Sequence, residues 1–336
     1  MKEFIEKISS PQHLTREEAK SMMREIMEGQ ATSAQIAAVL IALKCKGEHV
    51  DELLGFVEVM REKSVKVRLD DPDAIDMCGT GGDGSGTFNI STVSSFVVAG
   101  AGVTVAKHGN RSVSSTCGSA DVLKALGVNI EIDAQKVETC INKVGIGFLY
   151  APMFHPAMKH AAQTRADLGI KTCFNLLGPM TNPANVKRQL VGVFSYDAAK
   201  NIADVFSQLE TEKVFVIHSH DGLDEISLQS PTTVFEVRKD IKPKQYEISA
   251  TSFSLPAVAH SEILGGNAET NAAIAWKILR GEKIPHRHYV VANSAFGLLA
   301  AGNANSIQHG VQLAEESIDS GNALKKLNEL IAFTNR

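Results

Sequence analysis

Apolar residues in the first sixty positions recur every three or four residues, the spacing that puts them on one face of a helix. Ala19, Met22, Met23, Ile26 and Met27 form one such stripe, opened by a Thr15–Glu18 capping box and stopped by Gly29. Ile36, Val39, Leu40 and Leu43 form a second between Thr32 with Gln35 and Gly47, and Val50, Leu53, Leu54 and Val57 a third. A mixed-charge amphipathic start at 1–8 precedes them. Short connections between the stripes predict a small all-helical lobe over residues 1–70.

The period changes at Asp70-Asp71-Pro72. Short β-type runs at 74–78, 103–106, 128–132, 147–150, 189–194, 213–218 and 233–237 then alternate with helical runs such as 120–126, 134–143 and 198–209. The tail from Asn267 reads as three more helices. Such alternation predicts an α/β fold: a large lobe over 71–336 with a mainly parallel sheet flanked by helices, beside the helical lobe. Ligands of such sheets sit beyond the carboxyl ends of the strands, so the loops after the strands are where chemistry is expected.

Composition narrows this little, but excludes several classes. A chain of 336 residues exceeds what one core usually supports, which agrees with two lobes. At 44% apolar and 21% charged it is an ordinary globular sequence, and a net charge of −4 argues against general nucleic-acid or membrane-surface binding. The most apolar stretch, 93–106, is too short to span a bilayer and is broken by glycine and serine. The amino-terminal residues lack the apolar core of a signal peptide, and five cysteines without a Cys-x-x-Cys pair fit neither a disulfide framework nor a zinc site. A cytoplasmic protein is expected, with Cys78 and Cys117 as small apolar fillers rather than nucleophiles.

The loop after the first strand holds Gly79, Gly81, Gly82, Gly84 and Gly86, then Thr87 and Asn89-Ile90-Ser91-Thr92 at a helix start. Glycines let the backbone approach a ligand, and exposed amides before a helix suit an anion. The spacing Gly79-x-Gly81-x-x-Gly84 also matches a dinucleotide fingerprint. Against that reading, the helix does not open at the glycines, Asp83 would repel a bare pyrophosphate, and the second strand ends in Lys107-His108 instead of a ribose-binding acid. Asp83 suits a loop that also faces sugar hydroxyls or magnesium, as for a phosphorylated sugar.

After the second strand, Lys107, His108, Gly109, Asn110, Arg111, Ser112, Val113, Ser114 and Ser115, with Ser119 beyond, supply cations and hydroxyls suited to several phosphates. His108 reads either as a general base or as a hydrogen-bonded wall residue. Asp224 and Glu225, after the strand at 213–218, are hard oxygen donors of the kind that hold magnesium beside phosphates. Alone they would equally describe a solvated acidic turn. His218 and His220 lack a third zinc ligand, and His286 and His288 read as surface residues on a Pro-containing loop. In the helix opening at His155-Pro156, the stripe Met158, Ala161, Ala162, Leu168 also carries Arg165. An inward guanidinium needs a partner, either a ligand carboxylate or one of the chain's own acids.

Taken in order, segments 79–83, 89–92, 107–112, 117–121 and 221–225, extended by 155–159 and 174–179, resemble the motif series of the anthranilate phosphoribosyltransferases. Lys171 stands where that family has arginine. The resemblance implies that helices around 155–185 complete the small lobe, that the site lies between the lobes, and that a homodimer forms through the helical lobes. It implies phosphoribosyl pyrophosphate contacts from Gly79, Gly82, Asp83, Thr87, residues 89–92, residues 107–115 and Ser119. It further implies magnesium held by Ser91, Asp224 and Glu225, two ions in the substrate complex, and anthranilate met by Asn110 and Arg165 with Gly79 nearby. The expected chemistry is displacement at the anomeric carbon, with neither a covalent intermediate nor a strong base. A nucleoside phosphorylase, which would need no acidic metal pair, and a non-catalytic nucleic-acid-binding relative are the alternatives.

Overall fold

The computed structural model describes residues 1–111 and 117–336. Helices α1 (Lys2–Ile8), α2 (Arg16–Met27), α3 (Ser33–Lys46) and α4 (Val50–Lys63) form where the stripes place them. Thr15 and Thr32 accept from the backbone amides of Glu18 and Gln35, so both capping boxes form. Glu52 is fully buried in α4, where the Leu14 and His49 amides and Lys46 Nζ donate to its carboxylate at 2.7–2.9 Å. An acid can be buried on those terms.

The large lobe follows with β1 (Ile75–Gly79), α5 (Ile90–Gly100), β2 (Val105–Gly109), α6 (Ser119–Ala125), α7 (Ala134–Val144) and β3 (Ile146–Tyr150). The short α8 (Ala151–Phe154), then α9 (Lys159–Leu168) and α10 (Cys173–Leu177), return the chain to the helical lobe, where α9 packs on α2 and α3, and α10 on α3 and α4. The chain then re-enters the sheet through β4 (Arg188–Gly192), α11 (Tyr196–Ser207), β5 (Lys213–Ser219), β6 (Thr232–Arg238) and β7 (Ile241–Ile248). Four helices close the chain: α12 (Ala268–Leu279), α13 (Pro285–Ala301), α14 (Ile307–Asp319) and α15 (Asn322–Thr334).

The sheet order is β3-β2-β1-β4-β5-β6-β7, parallel from β3 through β5 and antiparallel at β6 and β7. The chain leaves β1 toward β2 on one side and leaves β4 toward β5 on the other, so the winding reverses at the β1–β4 pair. Their carboxyl ends, Gly79 and Gly192, are in register, and such a reversal point is where open α/β sheets bind their ligands. One apolar cluster joins the strands to α5, α6 and α12–α15; a second joins the other face to α11 and the helical lobe.

Four sequence expectations differ from this fold. Residues 128–132 form no strand: Val128, Ile130 and Ile132 are buried alternately, but β3 already occupies the free side of β2. Alternation reports burial, and here it comes without ladder partners. β7 was unpredicted because its exposed Lys242, Lys244 and Glu247 and its Pro243 mark a protected edge strand rather than an apolar run. The tail holds four helices, not three. In α9, Ala162 is exposed, and the inward face is Ala161, Thr164, Arg165 and Leu168.

Candidate active site

The acidic pair lies in the crevice between β1 and β4. A Cβ added at Gly192 would fall 1.5 Å from the Asp224 carbonyl oxygen, and one at Gly79 would fall 2.8 Å from Asp224 Oδ2. Only glycine at both strand ends lets the 221–225 turn enter. Once there, Asp224 Oδ2 accepts from the Gly81 amide at 2.8 Å, and Glu225 Oε1 accepts from the Ser91 amide at 2.9 Å. Asp83 Oδ2 stands 3.5 Å from the Asp224 amide. Two acids thus tie the glycine loop and the start of α5 to the end of β5.

Loss of water in the crevice, then the neighbouring Asp83 carboxylate, pushes the Asp224 carboxyl up to about 7. Glu225 is pushed up to about 8 by burial and then by Asp224. Acids held this way favour a cation. Among the described residues no group of three or more His, Cys, Asp or Glu side chains is arranged to hold a metal alone. Two carboxylates and the Ser91 hydroxyl match an ion whose remaining ligands are phosphate and water.

The glycine loop runs at positive φ at Gly81, Gly82, Gly84 and Gly86, between 65° and 75°. The amides of Gly82, Gly84 and Gly86 meet no acceptor among the described residues. Thr87 forms a bridge with Leu264, and α5 begins only at Ile90, so the loop is not the tight turn of a dinucleotide site. The Thr92 hydroxyl is buried with no partner among the described residues.

Lys107 passes under the loop, fully enclosed, with Nζ bonded to the Met77 carbonyl and 3.3 Å from Ser91 Oγ. Burial lowers its pKa, and Asp76 opposes that. Asp76, on β1, is itself buried and accepts from the His108 amide at 3.1 Å and from Asn182 Nδ2 at 2.8 Å. Gln189 Nε2, 3.5 Å from the same carboxylate, also donates to the Pro179 carbonyl at 2.9 Å. This network fixes the end of β2 to the 3-10 turn Gly178–Thr181, and sequence reasoning missed it. Its signal was one acid inside a five-residue buried strand.

Beyond β2, Gly109 packs against Ser119, whose hydroxyl donates to the Asn110 carbonyl at 3.2 Å. Asn110 is exposed and Asn110 Oδ1 accepts from the Arg111 amide. Arg111 is turned outward, 3.5 Å from Glu131, and is not brought to the other site residues. Ser112, Val113, Ser114 and Ser115 lie outside the described residues.

His108 Nδ1–H donates to the Gly178 carbonyl at 3.2 Å, which leaves Nε2 a buried acceptor with no partner among the described residues. Burial, then His155, pushes its pKa down to about 3; burial pushes His155 down to about 4. Their ring centroids are 5.2 Å apart, and His155 Nε2 likewise has no partner among the described residues. The sequence places His155 at a helix opening and within the family-like segment 155–159, but assigns it no role. Arg165 lies over the Phe174 ring at 5.1 Å and, among the described residues, pairs with no acid of the chain. Its pKa is lowered by burial. Burial raises the Cys78 and Cys117 thiols, which agrees with filler roles. His286 sits in the first turn of α13 rather than a loop, its ring edge-on to Phe88 at 5.0 Å.

A glycosyl transferase family's helical bundle domain matches residues 2–64, and the same family's a/b domain matches residues 71–324. The anthranilate phosphoribosyltransferase of Pelotomaculum thermopropionicum is 51% identical over 99% of this chain and 96% of its own length. The crystal structure of the Thermus thermophilus enzyme of that name superposes with a TM-score of 0.93 at 39% identity, over 99% of both chains. The Saccharomyces cerevisiae enzyme, solved in complex with PRPP and Mg, superposes with a TM-score of 0.91 at 27% identity, over 99% of this chain and 97% of its own.

Proposed function

The chain belongs to the anthranilate phosphoribosyltransferase family, and from that premise we propose how its own residues carry the reaction. The enzyme transfers the phosphoribosyl group of 5-phosphoribosyl 1-diphosphate to the amine of anthranilate, releasing pyrophosphate, a step of tryptophan biosynthesis. The reaction uses magnesium. The observation that carries the residue-level reading is the insertion of Asp224 and Glu225 into the β1–β4 crevice, against the glycine loop.

Gly79, Gly82, Asp83, Thr87 and residues 89–92 receive the phosphoribosyl pyrophosphate, together with residues 107–110, 112–115 and Ser119; Arg111, turned outward against Glu131, has to swing inward to join them. Open glycine amides bind the diphosphate, while Asp83 faces the sugar hydroxyls. Ser91, Asp224 and Glu225 hold magnesium, two ions in the complex, which supplies charge stabilisation to the departing pyrophosphate. Lys107 holds the start of α5 in place from below. On the acceptor side, Arg165 pairs with the anthranilate carboxylate, and Asn110 meets the same substrate with Gly79 nearby. His108 remains neutral with its one N–H on Nδ1 given to the Gly178 carbonyl, so its Nε2 can only accept a hydrogen bond. It helps orient the amine and is no acid. Attack at the anomeric carbon needs two substrates held in line, which a site between lobes provides.

Residues 1–70 with the helices around 155–185 make the small lobe, and 71–336 the large one. The outer side of α3 exposes Ile41 and Cys45 beside Ala34, an apolar face suited to a homodimer through the helical lobes. Light scattering tests it: a dimer mass is expected, and a monomer at micromolar concentration would refute it. No helix among the described residues is long and apolar enough to cross a membrane. The proposed location is the cytoplasm, and no nucleic-acid partner is expected. Mixing enzyme, Mg²⁺, phosphoribosyl pyrophosphate and anthranilate should quench anthranilate fluorescence with equimolar pyrophosphate release. Phosphorolysis of a nucleoside with no such quenching would favour a phosphorylase instead.

A further inference from the structure

Two side-chain amides connect the phosphate loops to a helix outside the proposed site. Asn271, in the second turn of α12, is 2% exposed. Its Oδ1 accepts from the Gly266 amide at 2.8 Å, and its Nδ2 donates to Asn89 Oδ1 at 3.0 Å. Asn89 Nδ2 in turn donates to the Cys117 carbonyl at 3.1 Å. The row runs from a backbone N–H, which can only donate, to a backbone carbonyl, which can only accept. Those ends fix the direction of both amides between them.

Asn89 is the residue before α5, where asparagine usually caps its own helix. Here its side chain makes no cap bond and reaches sideways to Cys117, so the glycine loop and the segment leading to Ser119 are tied through it. The backbone beside Asn271 braces the same arm of the loop. The Gly265 amide donates to the Gly86 carbonyl at 2.9 Å, Leu264 bridges Thr87, and a Cβ at Gly265 would lie 2.7 Å from the Phe88 nitrogen.

We propose that Asn271 is a positioning residue for the phosphoribosyl pyrophosphate site: by fixing the direction of the Asn89 amide it holds the two phosphate loops at one separation. This rests on the reading of those loops given above. Asn271, buried between Gly266 and Asn89, acts through Asn89 and not on a substrate directly.

The direction of the row gives a test that packing alone would not pass. Asn271→Asp keeps the shape and the bond from Gly266, but its carboxylate cannot donate. Asn89 must then turn its NH₂ toward the new acid and its oxygen toward the Cys117 carbonyl, which parts the loops. Asn271→Ala leaves a small void, and Asn89 can keep its bond to Cys117. Titration calorimetry of phosphoribosyl pyrophosphate with Mg²⁺, in mildly alkaline buffer, should therefore show Asn271→Asp binding more weakly than Asn271→Ala. The alanine variant should lose about three- to tenfold, the effect of one hydrogen bond. The KM for anthranilate should stay at the wild-type value in both. An aspartate variant that binds as well as or better than the alanine variant overturns the proposal, as does an equal loss for both substrates. If thermal melting shows that the aspartate variant does not fold, Asn271→Leu replaces it. Leucine fills the volume without polarity, so a loss like alanine's supports the proposal and wild-type affinity overturns it. Failure of the wild-type protein to bind phosphoribosyl pyrophosphate would instead defeat the reading of the loops.

Discussion

Arg165 and His108, which we propose for the acceptor side, are charged and neutral respectively, although burial lowers the pKa of both. The guanidinium keeps its charge over Phe174 with no acid of the chain beside it among the described residues, while the imidazole is neutral down to about pH 3. Arg165→Ala should cost roughly 1.5–3 kcal/mol in anthranilate kcat/KM, the worth of a hydrogen bond to a charged group. Steady-state kinetics with varied anthranilate check this, and wild-type values would contradict the assignment. Because His108 titrates far below working pH, the rate between about pH 6 and 8 should show no ionisation belonging to it, and His108→Asn should leave the shape of the pH profile unchanged. Arg165 was legible in the sequence because a charge on an apolar stripe is conspicuous. The burial of His155 and Asp76 was not: one opens a helix in a segment matched by resemblance alone, and the other hides in a strand whose neighbours are all apolar.

Secondary-structure elements set the acidic turn in place, and two glycines decide whether it fits. Gly192→Ala puts a methyl group into the Asp224 backbone, an overlap expected to cost about 1–3 kcal/mol as for other overpacked sites, with turnover falling more than stability. Thermal melting and initial rates measured on one preparation separate the two. The pair also shapes stability against pH. Their carboxyls titrate near 7 and 8 in the folded chain and near 4 when unfolded, so folding takes up protons between those values. Metal-free protein should therefore lose stability as pH rises from about 5 to about 8, and Glu225→Gln should flatten that slope. Melting curves across that window test it, and identical slopes would count against a cation-seeking pair. At this scale the N-terminal helices were fully legible, since caps and stripes agreed. The edge strand β7 and the unpaired 128–132 run were not, because pairing depends on which neighbour reaches a strand first.

The whole molecule places the site where the sheet reverses its winding and the helical lobe, with α9 and α10, stands beside it. Alternating strands and helices predicted that class of crevice, but only the strand order located it at Gly79 and Gly192. The glycine loop, Lys107 and the acidic pair, dispersed along the chain from Gly79 to Glu225, meet there through three contacts: Gly81 to Asp224, Ser91 to Glu225, and Lys107 to Ser91. Together they are proposed to act as one magnesium-dependent diphosphate site. The most direct measurement is the initial rate of anthranilate consumption against Mg²⁺ concentration, in the wild type and in Asp224→Ala with Glu225→Ala. The double variant should fold, with a turnover that collapses and recovers only in part at high Mg²⁺. A Mg²⁺ response that matches the wild type in both position and height would contradict it.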